Sequence, residues 1–591
     1  MNNPPLLVRR ICSVLHHSLI PCLALSPITG HTHELPPHPY PQTVSQVRQQ
    51  LAVDPPMAKQ LETLLLKAVK TGASAPSGSS KDDFYSRISR ELAVLGNTSS
   101  AISTATLISD RSRRRFAISS IAEIMVQTND FAAARRLAQG KKGTRGWDSA
   151  LFSVVREEID YGYLEEARNS MASIQDPEDR VLLLIWLASG FIKAGDRNAS
   201  RSHLEEALAL TPRLPLDWGD THRMPKDEAL SKIVGVQAES HDWESAFQTT
   251  SLIQQDNYRA WALMEIAARQ VTAGDLAAAL ATADRLKEPD YRSGAKFRIA
   301  KQLESLGRYR EAIDVLRSLL DDEQTSHQAL VSIALLQVKL EEFTAALKTV
   351  EFLETRPLSQ AAESGSPLSG RTQVLNQIIQ TKARSGDFAG AESVVAELPI
   401  ERQWLALERI GKIQGGKEGI QKIEAAFEQA RPEAKDCVLK LLALSYEKVG
   451  VHEEAVRSAN RARTAIGAFS VKGFQESFPG ATPQLVKVNK RHHYRELSEV
   501  QARIHDLDGA LTTLSLIDDS QERAGALSSI AFVLGYQKKP IAQLNKIIAS
   551  RSSQERADAV LGYVMGRVEA LDLKSEPLSP FGTQYCHWHY Q

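Results

Sequence analysis

The chain has 591 residues, with 71 lysines and arginines against 71 aspartates and glutamates, and 42% of its residues are hydrophobic. A net charge of zero disfavours a protein that coats a polyanion, because affinity for nucleic acids depends on an excess of basic residues. No apolar run approaches the roughly 18 residues of a membrane-spanning helix. The four cysteines are scattered, so their spacing predicts neither a disulfide framework nor a zinc site.

The first 56 residues are rich in proline and histidine, and they are predicted to be a disordered leader. Residues 1–30 also resemble a degraded secretory signal, because Arg9 and Arg10 precede an apolar run. Histidines and a proline interrupt that run, so we favour a leader and a cytoplasmic protein over an exported one. Met57 opens an amphipathic helical pattern and is an alternative start.

Helical periodicity dominates the chain beyond this leader. Leu, Ala and Ile recur three and four residues apart as far as about Val568, and no segment shows the sustained alternation of a strand. The predicted organisation comprises N-terminal helices and a Ser/Gly-rich linker in 57–104, a repeat array in 105–465, an inserted loop in 466–493, C-terminal repeats with a cap in 494–572, and a disordered tail in 573–591.

One phrase of the sequence recurs at a fixed interval. "AGDLAAALATADRL" (Ala273–Leu286) is followed 33 residues later by "LGRYREAIDVLRSL" (Leu306–Leu319). In each copy a turn residue is followed five positions later by a small residue, and a small or β-branched residue lies seven positions before the turn. A degraded copy lies in 411–430. The turn residues of the other copies are Asn129, Gly162, Gly195, His241, Gly274, Gly307, Glu341, Gly386, Gly450 and His505.

The repeating unit is predicted to be a hairpin of two antiparallel helices. A glycine such as Gly274 allows the left-handed backbone at the end of the first helix, and Asp275 or Asp387 can cap the second helix. Ala267 and Ala279 would meet where the two helices cross, since a longer side chain would not fit. One hairpin leaves an apolar face bare, so the hairpins must stack into an all-α solenoid.

The closest copy of the unit resembles the tetratricopeptide repeat. Val438–Ala462 has Ala443, Tyr446, Gly450 and Ala455 at the positions where that family has its small residues, aromatic residue and turn glycine. The likeness covers roughly residues 105–570, although most units have 33 residues, the closing proline is mostly absent, and long insertions interrupt the array. The resemblance implies a right-handed α-solenoid, a superhelix of antiparallel helical hairpins, with a concave groove lined by the first helices.

In the resembled family this groove binds a protein or peptide. The solvent-side positions of the first helices therefore predict a partner-binding site here, although an ordinary solvated face would show the same pattern. The predicted groove residues are Trp261, Met264, Phe297, Arg298, Lys301, Asn376, Gln377, Gln380 and Lys440.

An arginine recurs near the start of many first helices. It could form a cationic ladder for an acidic or phosphorylated partner, but we favour a repeated salt bridge between neighbouring units, because an acidic residue often lies just upstream. These arginines are Arg180, Arg259, Arg292, Arg371, Arg402, Arg523 and Arg556.

No motif of a catalytic, metal or cofactor site is recognisable. "HTHELPPH" (His31–His38) and "CHWHY" (Cys586–Tyr590) contain ligand residues, but they lie in Pro-rich or terminal stretches without a second ligand pair at fixed spacing. We therefore expect a non-enzymatic scaffold without metal or cofactor, which binds a protein or peptide and no nucleic acid. The alternatives are a regulatory subunit of an enzyme complex and a helical-repeat RNA-binding protein.

Overall fold

The computed structural model describes residues 44–72, 79–138, 147–216, 224–321, 323–354, 370–477 and 480–571. Every regular element in these ranges is a helix, so the all-α prediction is confirmed. Residues 44–56, which the sequence assigned to the leader, are largely helical. The rest of the predicted leader, the tail and both candidate metal-binding stretches lie outside the described residues.

The described helices, numbered in chain order, are α1 (Val44–Val53), α2 (Pro55–Gly72), α3 (Ser79–Val94), α4 (Thr98–Ala105), α5 (Arg111–Gln127), α6 (Phe131–Ala138), α7 (Trp147–Asp160), α8 (Leu164–Met171), α9 (Pro177–Lys193), α10 (Arg197–Leu210), α11 (Lys226–Glu239), α12 (Trp243–Ser251), α13 (Asp256–Thr272), α14 (Leu276–Ala283), α15 (Pro289–Ser305), α16 (Tyr309–Arg317), α17 (Glu323–Lys339), α18 (Phe343–Glu354), α19 (Gly370–Arg384), α20 (Phe388–Val395), α21 (Ile400–Gln414), α22 (Gly416–Gln429), α23 (Lys435–Lys448), α24 (His452–Gly467), α25 (Val471–Ser477), α26 (Pro483–Arg503), α27 (Leu507–Leu514), α28 (Ser520–Tyr536), α29 (Ile541–Ile548) and α30 (Ser553–Glu569).

These helices form two compact units. The central unit spans Leu204–Thr381, and the terminal unit contains the described residues that precede and follow it. Within each unit, consecutive helices pair as hairpins and each hairpin packs on the next. In both units, each hairpin buries its apolar face mainly against the neighbouring hairpins, as in other helical-repeat proteins.

The turns between paired helices have the predicted left-handed backbone. Gly274 has a φ of +91°, and even the non-glycine turn residue His241 has a φ of +62°. The same conformation occurs at Gly96 and Lys538, which lie 33 residues before the first predicted turn and 33 residues after the last. The array therefore begins earlier than residue 105, with the hairpin of α3 and α4.

Small residues occupy the crossing of the two helices in each hairpin. Ala267 and Ala279 are both fully buried in the core of the central unit. The other predicted crossing residues are at most 3% exposed, which confirms the register of the repeat. They are Ala122, Ala134, Val155, Ala167, Ala188, Ser200, Val234, Ala246, Ala300, Ala312, Ala334, Ala346, Ile379, Ala391, Ala443, Ala455, Ser498 and Ala510.

Aspartates cap the second helices as predicted. The carboxylate of Asp275 accepts a hydrogen bond of 2.8 Å from the backbone N–H of Ala278, and Asp387 accepts one from Gly390. A different aspartate joins successive hairpins, because Asp227 on α11 accepts bonds of 3.0 and 2.7 Å from the N–H groups that precede α13. Such caps satisfy donors that a helix leaves unpaired at its first turn.

The segment 466–493, predicted to be an inserted loop, is largely helical. It contains α25 and the first half of α26. Pro483 occupies the first turn of α26, where proline favours a helix start, and the Thr482 hydroxyl accepts a bond of 3.2 Å from the N–H of Leu485. The rings of Phe469 and Phe474 pack edge to face and anchor α25.

Within the terminal unit, an early and a late helix of the described chain pack together. Helix α30 packs closely against α28 on one side and against α2 on the other. Leu61 and Leu65 of α2 are buried, and Arg567 of α30 donates a hydrogen bond of 2.7 Å to the Met57 sulfur. Helices α2 and α30 therefore cover each other, a role that polar capping repeats fill in other solenoids.

Candidate functional site

Three of the predicted groove residues form an apolar strip in the central unit. Trp261 and Met264 lie on α13, and Phe297 lies on α15. The side chain of Trp261 is 43% exposed, and its ring packs edge to face on Tyr258 at 5.5 Å. Met264 and Phe297 are half-buried because they also pack on the core beneath. The partial exposure of these three side chains is consistent with the prediction that they lie at the surface.

Ion pairs between successive first helices border the strip. Glu265 of α13 pairs with Arg298 of α15 and, at 3.0 Å, with Arg269 on its own helix. Arg269 in turn lies 3.9 Å from Glu239 of α11. Arg298, predicted as a groove residue, is therefore engaged within the chain, and these pairs contribute to fixing the register of the first helices.

Lys301 is the second cation of the predicted site on α15. Its side chain is exposed, and within the described part of the chain it makes neither an ion pair nor a hydrogen bond. Asn376, Gln377 and Gln380 lie together on α19, where all three are half-buried. The structure thus leaves Lys301 as an available charge beside the strip.

Lys440 is not a groove residue, and this prediction is wrong. Its side chain is only 1% exposed, because α26 packs over that part of α23. The Lys440 ammonium lies 3.0 Å from the Asp436 carboxylate and 2.6 Å from Glu496. His493 Nδ1 lies 2.6 Å from the same Asp436 oxygen. The residues form a buried charged cluster in the terminal unit.

Asp436 and Lys440 hold each other in the charged state within this buried cluster. Burial opposes ionisation of Asp436, but Lys440 and His493 overcome it and leave the pKa of that carboxyl below its ordinary value. Burial likewise opposes the charge on Lys440, and Asp436 with Glu496 raises the pKa of its ammonium. A cation between two carboxylates supplies both with opposite charge and a hydrogen-bond donor, which is typical of a structural ion pair.

Asp436, Cys437 and His493 bring potential metal-ligating atoms within 4.8 Å of one another. Two features oppose a cation there. The Lys440 ammonium is 3.0 Å from the Asp436 carboxylate, and Cys437 takes part in a disulfide bond that the scattered cysteines did not predict. We assign these residues to the packing of α23 against α26 rather than to a metal centre.

The recurring arginines bind backbone within the repeats. Arg292 donates hydrogen bonds of 3.1 and 3.2 Å to the carbonyl of Leu286, which follows the preceding second helix. Arg523 donates in the same way to Ile517 and also pairs with Glu555 of the next unit at 2.8 Å. The favoured salt bridge between units is thus present at Arg523, while carbonyl binding is an additional role. Internal partners are also found for Arg180, Arg259, Arg371, Arg402 and Arg556.

A buried hydrogen bond across the hairpin was missed by sequence reasoning. The Thr282 hydroxyl donates to the side-chain oxygen of Gln270, twelve residues earlier, at 2.8 Å. The same spacing carries hydroxyl-to-carbonyl or hydroxyl-to-carboxylate bonds in other hairpins, so the signal was visible in the sequence. The further pairs are Thr349 with Gln337, Thr513 with Gln501, and Ser170 with Glu158.

We expect Thr282→Val to lower the free energy of unfolding by about 1–2 kcal/mol, because the buried Gln270 oxygen loses its donor while the volume is nearly kept. Thr282→Ser retains the hydroxyl and is the matched control. Urea denaturation of both variants measures the difference, and equal midpoints for the valine and serine variants would show that this bond contributes nothing.

Two buried acids lie on successive first helices of the terminal unit. Glu123 of α5 is 3.5 Å from Arg156, and Glu157 of α7 accepts a bond of 3.1 Å from Gln127. Burial, with a further contribution from the charge of Glu157, raises the pKa of Glu123 to about 7. In the folded state this carboxyl is therefore mainly protonated below about pH 7.

Glu123→Gln is expected to stabilise the protein at pH 8 by up to about 3 kcal/mol and to change little at pH 4.5. The folded pKa is raised from 4.5 to about 7, so the stabilisation from the bound proton is lost between these values as the pH rises. Denaturation at several pH values measures this slope. Glu165→Gln, at an exposed site, is the control, and equal slopes for both variants would contradict the assignment.

Comparison with known proteins yields structural likeness only. No protein-family model matches the chain, and no curated protein matches it. Among the described residues, no helix is both long and apolar enough to cross a membrane.

Three similar solved structures have low scores. Naa15/Naa10 bound to HypK-THB has 12% identity, with 83% of this chain and 78% of that chain covered and a TM-score of 0.35. Ton1535 from Thermococcus onnurineus NA1 has 16% identity, with 70% of this chain and 98% of that chain covered and a TM-score of 0.21. The APC/C hetero-tetramer Cut9–Hcn1 has 12% identity, with 81% of this chain and 96% of that chain covered and a TM-score of 0.21. By the geometry of its own hairpins, the described chain is an all-α protein built of repeated helical hairpins.

Proposed function

We propose that the protein is a non-enzymatic scaffold that binds a protein or peptide on the first-helix face of its central unit. The observation that carries this proposal is the strip of Trp261, Met264 and Phe297, an exposed aromatic ring and two half-buried apolar side chains on neighbouring first helices. Aromatic residues surrounded by polar groups are enriched in the energetically important parts of protein interfaces.

The other charged groups favour this function over the alternatives. The Asp436–His493 pair resembles part of a catalytic arrangement, but both side chains are buried and bound to structural partners. Binding of RNA depends on an excess of available cations, whereas the chain has no net charge and Arg292 and Arg523 are engaged with backbone carbonyls. The apolar strip suits a polypeptide better than a phosphate backbone.

Affinity capture with the purified full-length protein, quantified by mass spectrometry, tests the proposal. The double variant Trp261→Ala/Lys301→Glu should lose at least tenfold of the captured partner, because it removes the aromatic contact and inverts a neighbouring charge. Lys348→Glu changes an equally exposed lysine on the second helix α18 and is the matched control. Undiminished capture by a folded double variant would contradict the proposal, and a catalytic partner would favour a regulatory subunit.

A further inference from the structure

The disulfide bond of Cys437 has its second sulfur beyond the described residues. The chain has four cysteines, and the other three are Cys12, Cys22 and Cys586. None of these three lies in the described ranges, whereas Cys437 lies on α23 in the terminal unit. Within one chain, the bond therefore attaches to α23 a segment that either precedes residue 44 or follows residue 571.

The Cys437 sulfur lies at the seam between α23 and α26. The residue is only 7% exposed, and its sulfur is within 4.8 Å of a nitrogen of His493 on α26 and of an oxygen of Asp436. The two helices pack together around these side chains. A segment that is bonded to this sulfur therefore lies against the seam and adds to its cover.

One oxygen beside the disulfide bond lacks a donor. Asp436 is fully buried, and its Oδ2 is close to both His493 and Lys440. Its Oδ1 accepts no hydrogen bond from the described residues, which is unfavourable for a buried acceptor. A thiol at Cys437 can donate a hydrogen to a neighbouring oxygen, whereas a disulfide sulfur cannot. The surroundings of Cys437 therefore suit its reduced state as well as its bonded state.

Chain length favours Cys586 as the partner of Cys437. The described part of the terminal unit ends at residue 571, and 15 residues lead from there to Cys586. A segment of that length spans up to about 50 Å. The path from α30 to α23 crosses α28 and α26, which pack in that order, and three helix spacings amount to about 30 Å. The segment after α30 can therefore reach Cys437.

Helix α30 is a firm anchor for this segment. Gly562 and Gly566 lie against the backbone of α28, where an added Cβ atom would collide with carbonyl oxygens at 2.2 and 2.0 Å. Cys22 is a poorer partner, because it lies 22 residues before Val44 and the main contacts of α1 are with α2, α3 and α5. A bond from Cys22 or Cys12 to α23 would need a longer free segment, whose closure costs more entropy.

We propose that a disulfide bond between Cys437 and Cys586 is a reversible latch, which fastens the segment after α30 across the seam of α23 and α26. A dithiol opens the latch: it gives two electrons and two protons, both cysteines become thiols, and the dithiol becomes a disulfide. Glutathione disulfide closes the latch by the reverse exchange and is released as two glutathione thiols. The closed latch joins positions 149 residues apart, so it restricts the unfolded chain more than the folded one.

Peptide mapping without reduction tests the pairing. The full-length protein is equilibrated with glutathione disulfide, free thiols are alkylated, and trypsin releases Asp436–Lys440 and Ser575–Gln591. We expect these two peptides to appear as one cross-linked species that dithiothreitol separates. An alkylated Cys437, or a link to the peptide that contains Cys12 and Cys22, would overturn the proposal.

Thermal unfolding of the oxidised and reduced protein tests the latch itself. Reduction with dithiothreitol should lower the Tm by at least about 3 °C, because the unfolded chain regains freedom when the loop opens. Cys586→Ser should unfold at the temperature of the reduced protein under both conditions. The double variant Cys12→Ser/Cys22→Ser is the matched control and should keep the full shift. A shift that persists in Cys586→Ser, or that is absent from the unsubstituted protein, contradicts the latch.

Discussion

Gly566→Ala should lower the free energy of unfolding by more than about 4 kcal/mol, the largest effect expected for a single methyl group in this chain. A Cβ atom at this position would lie 2.0 Å from the carbonyl oxygen of Phe532 and 2.8 Å from the N–H nitrogen of Tyr536. Both atoms belong to the backbone of α28, so no side chain can rotate away. The two helices would have to separate, and the contacts of Gly562 would be lost with them.

Gly294→Ala is the matched control for this prediction. It also adds one methyl group to a helical glycine, but its Cβ atom meets only the flexible Met264 side chain at 3.5 Å. We expect no loss of stability, or a gain of up to about 1 kcal/mol from helix propensity. Urea denaturation followed by circular dichroism compares the two variants, and an unchanged midpoint for Gly566→Ala would show that α28 and α30 are not in close contact.

Lys440→Met should cost about 3–5 kcal/mol of stability at pH 7, because it leaves Asp436 and Glu496 ionised and buried without their cation. The loss should shrink as the pH falls, since the two carboxyls can then take up protons instead. The Lys440 ammonium holds the pKa of both acids below the ordinary value in the folded state, although burial acts in the opposite direction. Thermal unfolding at pH 7 and pH 4.5 measures this dependence.

The triple variant Asp436→Asn/Lys440→Met/Glu496→Gln separates the charge effect from simple loss of packing. It removes the uncompensated acids, so it should recover at least half of the stability lost in Lys440→Met. A triple variant no more stable than the single one would mean that the lysine stem, and not the charges, contributes the stability. A single variant that loses less than about 1 kcal/mol would contradict the assignment of a buried ion pair.

The repeat could be predicted from the sequence because its requirements are local. A left-handed turn, a cap one residue later and two small crossing residues recur at fixed spacing, and residues such as Gly274 and Asp275 were assigned correctly. His241 shows that the position constrains the backbone even without glycine. Gly96 has the same 33-residue spacing, but it was assigned to the N-terminal helices and Ser/Gly-rich linker of 57–104 and so outside the array.

The remaining features depend on contacts between distant residues. Lys440 matches a groove position of the repeat, and only the packing of α26 over α23 buries it beside Glu496, 56 residues later. The sequence likewise does not distinguish Gly566, which lies against another backbone, from Gly294, where an added Cβ atom would meet only the Met264 side chain. The strip at Trp261 followed from the repeat register, whereas the pairing of Arg298 required the position of Glu265.

Hydrogen exchange of the full-length protein, with and without a partner identified by the affinity capture, locates the partner-binding face directly. Binding on the central unit should slow exchange in Asp256–Thr272 and Pro289–Ser305, which contain Trp261 and Lys301. Helices α26 to α30 of the terminal unit should be unchanged. Protection confined to the terminal unit, or the same protection pattern in Trp261→Ala, would contradict a partner site on the first helices of the central unit.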